Sequence, residues 1–292
     1  MKVKYFFHGF RFILTKFMPH MIIGIDIGGT TTDIVGLLHG EMLTPLTVKA
    51  DDPVTSAAGA LGKFLEMKNL ALDKVRLIAA TGVGAGKIRD RLFGIPVKIV
   101  DEFHAIGTAG LYLSGLKEAV VVSMGTGTAV VTVKNGEIAH WGGSGVGGGT
   151  LLGLARKMLN ISTIHTLVEK AKRGKLERVD LTVGDIAGGS LDNLPATITA
   201  SNFGKMSDEA TDEDIALAIL NLVAQTIGVM GIAAARAANI KDIILTGKLS
   251  GLGPMKGILE KVADLYQSKF IIPEYADFAT AIGAALFIDR QR

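Results

Sequence analysis

Apolar residues fall along the chain in two spacings. Short runs that are apolar at nearly every position read as buried strands: MIIGIDIG (21–28), TTDIVGLL (31–38), VRLIAATG (75–82) and PVKIVDEF (96–103). EMLTPLTVKA (41–50) reads as a strand between the second and third of these. Helical spacing marks residues 52–68 and 104–115, and a short helix is expected over 85–93. At Ala119 the pattern restarts. AVVVSMGTG and TAVVTVKN form a strand–turn–strand unit, and Asn135-Gly136 predicts a hairpin into EIAHWGG. Beyond it come a helix over 149–159, a less regular stretch to about 210 and a long helix over 211–238. Strands over 242–248 and 269–275 flank another helix, and a final helix covers 277–289.

The openings IDIGGTTTDIVG and VSMGTGTAVVTV are alike and lie about one domain apart. Each begins with a hairpin whose turn is rich in glycine and hydroxyl residues, then continues as alternating strands and helices. The echo predicts an α/β protein of two related lobes, 21–118 and 119–292. The last helix, 277–290, is expected to pack back on the first lobe.

Composition narrows the class. Hydrophobic residues are 48% of the 292 and charged residues 20%, enough apolar material for a substantial core. Cysteine is absent, which removes disulfide scaffolds, thiolate zinc sites and cysteine-ligated iron–sulfur clusters, and fits a reducing cytoplasm. The net charge of +3 comes from Lys2, Lys4, Arg11 and Lys16; the remaining residues carry 27 basic and 28 acidic side chains, no footprint for nucleic acid. Residues 1–20 lack the uninterrupted apolar core of a secretory signal, and an upstream start codon with Met21 opening the folded protein is expected. Ile215–Ala235 is apolar enough to imitate a membrane span. Asp212, Glu213 and Asp214 at its start, and its glycines and alanines, favour a buried helix instead.

IDIGGTTTD carries the first candidate chemistry. Gly28 and Gly29 allow the backbone to approach a phosphate, Thr30, Thr31 and Thr32 add hydroxyl donors, and Asp26 at the strand end can hold a magnesium ion through water. SMGTGT (123–128) repeats these features, so Gly125, Thr126 and Gly127 would grip a polyphosphate from the other side. GGSGVGGG (142–149) fits G-x-G-x-x-G only nominally, because it follows an antiparallel strand; a glycine nest opening a helix at Thr150, open to phosphate, fits better. In VDEF, Asp101 and Glu102 would point oppositely at a strand end, so one faces the cleft as a base for alcohol phosphorylation.

With ATGVGAGK, ITASNFGK and FATAIGAAL, these motifs run in the order seen in type II (eukaryotic-like) pantothenate kinases, which the chain resembles over about residues 21–290. The resemblance implies two ribonuclease H-like lobes of the actin, sugar-kinase and hexokinase superfamily with ATP in the cleft between them. It further implies magnesium, transfer of the ATP γ-phosphate to pantothenate, a homodimer and regulation by coenzyme A or its thioesters. By position, Glu102 would be the base and Asp26 the magnesium-side acid. Gly147, Gly148, Gly149 and Lys248 would lie on the nucleotide side, and His140 and Gly142 on the substrate side.

His140 departs from the family, which usually has arginine there. Imidazole lacks the permanent charge and bidentate fork of guanidinium. Two other readings therefore stand beside the leading one: a kinase for another small hydroxylated metabolite, and a catalytically weak coenzyme A-sensing regulator.

Overall fold

The computed structural model describes residues 21–49, 51–192 and 194–291. The expectation for the leader, 1–20, lies outside the described residues.

The chain opens with an antiparallel meander, β1 (Met21–Ile27), β2 (Thr31–Leu38) and β3 (Glu41–Lys49). Both faces of β1 are covered: Ile23, Ile25 and Ile27 join the core beneath α1 (Pro53–Lys68), and Ile22 joins the core on the opposite face. That is why the strand reads as one continuous apolar run instead of an alternation. Helix α1 starts where the Asp52 carboxylate accepts the Thr55 N–H at 2.8 Å and Pro53 supplies the first residue. It stops at Asn69, in the left-handed conformation.

Next, β4 (Val75–Thr81) pairs parallel with β1, and β5 (Arg91–Leu92) and β6 (Ile95–Ile99) complete a sheet of order β3-β2-β1-β4-β6-β5. The short helix expected over 85–93 is not there. Residues Ala85–Lys87 make one 3₁₀ turn, and Phe93 and Gly94, at φ 50° and 79°, form the tight turn of a β5–β6 hairpin.

Helix α2 (Glu102–Ser114) leads into a second meander, β7 (Ala119–Met124), β8 (Thr128–Lys134) and β9 (Glu137–Ser144). Then follow α3 (Gly148–Leu159), α4 (Ile164–Ala171), β10 (Leu181–Thr182), α5 (Val183–Ala187) and β11 (Thr199–Ser201). The stretch read as irregular is thus partly ordered; a buried Asp180 carboxylate gathers the Thr199 hydroxyl, the side-chain amides of Asn202 and Asn221 and the Phe203 N–H.

Helix α6 (Asp212–Ala238) begins with a capping box between Thr211 and Asp214. It is long and apolar enough to cross a membrane. Here Ile219, Leu220, Val223 and Ile227 are fully buried in the core of the second lobe, and a Cβ on Gly231 would press on Val122 of β7. β12 (Ile243–Thr246), α7 (Gly253–Leu265), β13 (Phe270–Ile271) and α8 (Ala279–Arg290) end the fold.

The second sheet has the order β13-β12-β7-β8-β9, and β12 runs parallel to β7 as β4 does to β1. The repeated openings are therefore a repeated topology, and the molecule is the two-lobed fold that the echo predicts. Helices α2 and α8 lie between the sheets. Gly24 of β1 sits under the Ala281 carbonyl of α8, Gly283 of α8 meets the Ala105 carbonyl of α2, and Gly110 of α2 abuts Val121 of β7. A side chain at any of the three would collide, so these glycines set the spacing of the lobes.

Candidate active site

Both Gly/Thr turns open into one cleft of about 380 Å³ between the lobes. In the first, the Gly28 N–H donates to the Thr31 carbonyl at 3.0 Å, closing a two-residue turn of Gly29 and Thr30. In the second, Met124 pairs with Thr128, and the Gly125 N–H donates to the Gly127 carbonyl at 2.9 Å. Asp26, Gly28, Gly29, Thr30, Thr31, Glu102, Gly125, Thr126, Gly127, Gly148, Gly149 and Lys248 line this cleft, whereas His140, Gly142 and Gly147 stand outside its lining.

The tightness of the first turn has a chemical consequence. It places Asp26 opposite Asp33, and β4 places Thr81 beside Asp26 on its other flank. Paired residues share a sheet face, so the two carboxylates form a row at the cleft end of the strands. Burial raises the pKa of Asp26 to about 7, and the charges of Asp33 and Glu102 add to the rise. Burial also raises Asp33, against the opposing pull of Lys248 and the Thr47 hydroxyl. Such a row favours a cation among its members.

Glu102 does not end a strand. β6 stops at Ile99, and the Asp101 carboxylate accepts the His104 N–H at 3.0 Å, so the helix begins one residue after it. The expectation that Asp101 and Glu102 point oppositely along a strand is corrected: one caps the helix and the other occupies its first turn. Burial and the adjacent Asp101 charge raise the Glu102 pKa. Hydrogen bonds from His104, through its N–H and its ring, outweigh burial at Asp101 and hold that pKa low.

The triple glycine also differs from its reading as an open nest. The Gly148 and Gly149 N–H groups donate to the Gly125 and Thr126 carbonyls, both at 2.9 Å. A Cβ on Gly147 would fall 2.7 Å from the Thr126 carbonyl oxygen. The glycines let α3 dock its N-terminus against the second turn, and the Thr128 hydroxyl donates to the Val146 carbonyl at 2.8 Å to fasten the same join. What the helix offers a phosphate is its positive end, not these two N–H groups.

His140 lies on β9, where a bulge leaves Trp141 unpaired: Val131 faces His140 and Val130 faces Gly142. Its exposed ring stacks on Phe103, with centroids 3.9 Å apart and planes 10° from parallel. The histidine therefore contacts the residue next to Glu102 while standing outside the cleft lining.

Three residues absent from the sequence reading enter here. Asp33 lay within the quoted motif without a role; counting back from a two-residue turn would have paired it with Asp26. Thr47 and Asp277 carried no local signal. A hydrated magnesium ion fits the Asp26–Asp33 row. Among the described residues no group of three or more acids and histidines is arranged to enclose a metal, so Asp26 would hold such an ion through water.

Known proteins resemble this chain in sequence and in fold. The Fumble family model matches residues 116–256. A type II pantothenate kinase from Bacillus anthracis is 32% identical over 236 residues, 77% of this chain and 82% of that one. Another, from Bacillus cereus strain G9842, is 28% identical over 275 residues, 90% and 97% of the two chains. Among solved structures, the activator of the 2-hydroxyisocaproyl-CoA dehydratase from Clostridium difficile with bound ADPNP superposes with a TM-score of 0.66 at 17% identity, covering 93% of this chain and 95% of that one. A ROK family glucokinase from Streptomyces griseus in complex with glucose and AMPPNP gives 0.60 at 14% identity, covering 93% and 100%. At such identities the likeness to both concerns the fold. The identity and coverage of the Bacillus relatives go further: this chain belongs to the type II pantothenate kinase family.

Proposed function

We propose that the protein transfers the γ-phosphoryl group of ATP to the primary hydroxyl of pantothenate, forming 4′-phosphopantothenate and ADP in the first step of coenzyme A synthesis. The observation that carries this reading is the meeting of Glu102 with both Gly/Thr turns in one interlobe cleft. The dehydratase activator and glucokinase of the same fold are complexes with ADPNP and AMPPNP, which supports placing ATP there.

Glu102 accepts the hydroxyl proton as the new O–P bond forms and the bond to the ADP oxygen breaks. Burial and the neighbouring Asp101 charge raise the Glu102 pKa, and a carboxylate so raised is a stronger base than an ordinary one. Gly28–Thr31 and Gly125–Gly127 hold the phosphates from either lobe, and the positive end of α3 faces the same space. Bound magnesium would offset the phosphate charge, with Asp26 holding it through water. Among the described lining residues Asp26, Asp33, Glu102 and Asp277 face one ammonium, that of Lys248, so a polyphosphate entering the cleft needs an accompanying cation. A cytoplasmic homodimer regulated by coenzyme A thioesters completes the reading; the absence of cysteine suits that compartment.

One observation favours a second reading. The position expected to meet the substrate anion is a histidine whose ring face is covered by Phe103, which suits an acceptor of different charge. Incubation with ATP, magnesium and pantothenate, pantetheine or a hexose, with products identified by mass, decides between them. Phosphopantothenate is expected, and preferential phosphorylation of a hexose would overturn the proposal.

A further inference from the structure

Lys248 projects from the second lobe into the first. Its Nζ donates to Asp33 Oδ1 at 2.7 Å and to Thr47 Oγ1 at 2.9 Å, while the Thr47 hydroxyl donates to the same Asp33 oxygen at 2.6 Å. The three groups close a triangle that joins the lobes beside the cleft that Asp33 and Lys248 line. The Phe278 ring lies 4.3 Å from the ammonium and covers it further. Asp33 is 8% exposed and Lys248 33%, so water screens the pair only in part.

Each end of this contact is fixed to one of the two turns. Asp33 lies on β2, two residues after Thr31 closes the first turn. On the other side, Gly247 takes a left-handed φ of 86°, donates its N–H to the Ala276 carbonyl and packs on the backbone of Met124. The Leu249 N–H donates to the Met124 carbonyl at 3.2 Å, and Met124 immediately precedes the second turn. Lys248 thus stands on the support of one turn and grips the support of the other.

We infer that Asp33, Thr47 and Lys248 form an interlobe clamp that sets the distance between the two phosphate-binding turns, with Lys248 a positioning residue and not a ligand of the nucleotide. This deepens the proposed kinase function and its kinetic test rests on that reading. The alternative, in which Lys248 releases Asp33 to meet a phosphate, would strip the buried Asp33 carboxylate of a direct ion pair and leave only a water-separated cation to compensate it. It would also give up contacts whose geometry is already complete.

Hydrogen exchange on the nucleotide-free full chain tests the clamp without any substrate. Asp33→Asn and Lys248→Met are each expected to raise exchange about tenfold at residues 31–33, 47–48 and 247–250. Each should also lower kcat about tenfold, and the double variant should be no worse than the worse single one, because both remove the same contact. Should Lys248→Met fail to fold, the double variant leaves no unpaired buried charge, and Thr47→Val removes only the bridging hydroxyl; raised exchange at the same segments is expected in both. The inference is overturned if exchange is unchanged, or if Lys248→Met raises the KM for ATP alone and its effect multiplies with that of Asp33→Asn. A wild type that fails to phosphorylate pantothenate would sink the kinase reading and leave the exchange result to judge the clamp.

Discussion

The Asp101 carboxylate caps the helix that begins with Glu102, accepting the His104 N–H at 3.0 Å and pairing with the His104 ring at 2.9 Å. Two carboxylates adjacent in sequence therefore do different work: Asp101 holds the helix end, and Glu102, raised by burial and by the Asp101 charge, faces the cleft.

Replacing Glu102 by Gln keeps size and hydrogen bonding but removes the base. The kcat should fall by a factor of roughly 10² to 10⁴, the usual scale for loss of general-base catalysis. On the proposed reading the two turns hold the phosphates, so the KM for ATP should change little. Steady-state kinetics with both substrates varied checks this, and near-normal turnover would take Glu102 out of the mechanism.

Asp101→Asn tests the coupling between the neighbours. Asparagine caps helices as well as aspartate does, so α2 should keep its start. The lost negative charge removes one cause of the raised Glu102 pKa, and the proposed base works as the carboxylate. The acid limb of the kcat profile should therefore move to lower pH. An acid limb unmoved in Asp101→Asn would mean that some other group titrates in it.

Asp26 carries a stability prediction whose sign is fixed by linkage. Its folded pKa of about 7 lies above the ordinary 3.8, so between those values the folded state binds more protons than the unfolded one. Its contribution to stability is full below the unfolded pKa and is lost as pH rises through about 7. Asp26→Asn should remove that loss and melt higher than wild type at pH 8, though inactive. Magnesium with a non-hydrolysable ATP analogue should stabilise wild type, by about 2.7 kcal/mol at one hundred times the dissociation constant, and stabilise the variant much less. Calorimetry at pH 5 and pH 8, with and without these ligands, measures both effects. A variant that melts no higher than wild type at pH 8 would contradict the raised pKa of Asp26.

The lobes were legible in the sequence because their topology repeats: two Gly/Thr hairpins restart the same strand order, and β1 and β7 are both buried, continuous apolar runs. Less legible were features that depend on a distant partner. Asp33 and Lys248 are separated by most of the chain, and nothing near either residue marks the other. The start of α2 is ambiguous in the sequence because an Asp ahead of a helical run suits both a cap and a catalytic carboxylate, and only the structure shows Asp101 as the cap. The triple glycine misled for a related reason. Its composition suits a phosphate nest, but close approach to the Gly125–Gly127 turn calls for the same residues.

That close approach makes Gly147→Ala informative. A methyl there would press on the Thr126 carbonyl and the Gly127 backbone. Overpacking of this kind costs about 1–3 kcal/mol, and a displaced turn would carry the cleft-lining Thr126 and Gly127 with it. The melting temperature should fall and the KM for ATP rise together, while the KM for pantothenate stays near its original value. A stability loss with no change in the KM for ATP would show that α3 moves instead of the turn.

His140 gives the sharpest test of substrate recognition, because its two possible duties can be separated. Its ring stacks on Phe103 at 3.9 Å, and an aromatic pair of this kind contributes about 0.5–1.5 kcal/mol beyond the area it buries. His140→Phe should retain the stack and remove every polar contact. If His140 meets the carboxylate of pantothenate, this variant should show a raised KM for pantothenate with stability intact. His140→Arg should lower that KM about tenfold, equivalent to roughly 1.5 kcal/mol for a hydrogen bond between charged groups; guanidinium can also lie flat on Phe103, so the stack persists. His140→Ala should lose the stack as well, and its melting temperature should fall below that of both other variants. Kinetics and thermal unfolding on the three proteins read the two duties independently. A KM for pantothenate that is the same in wild type, His140→Phe and His140→Arg would leave His140 with packing alone, and the anion would then have to be met by another residue.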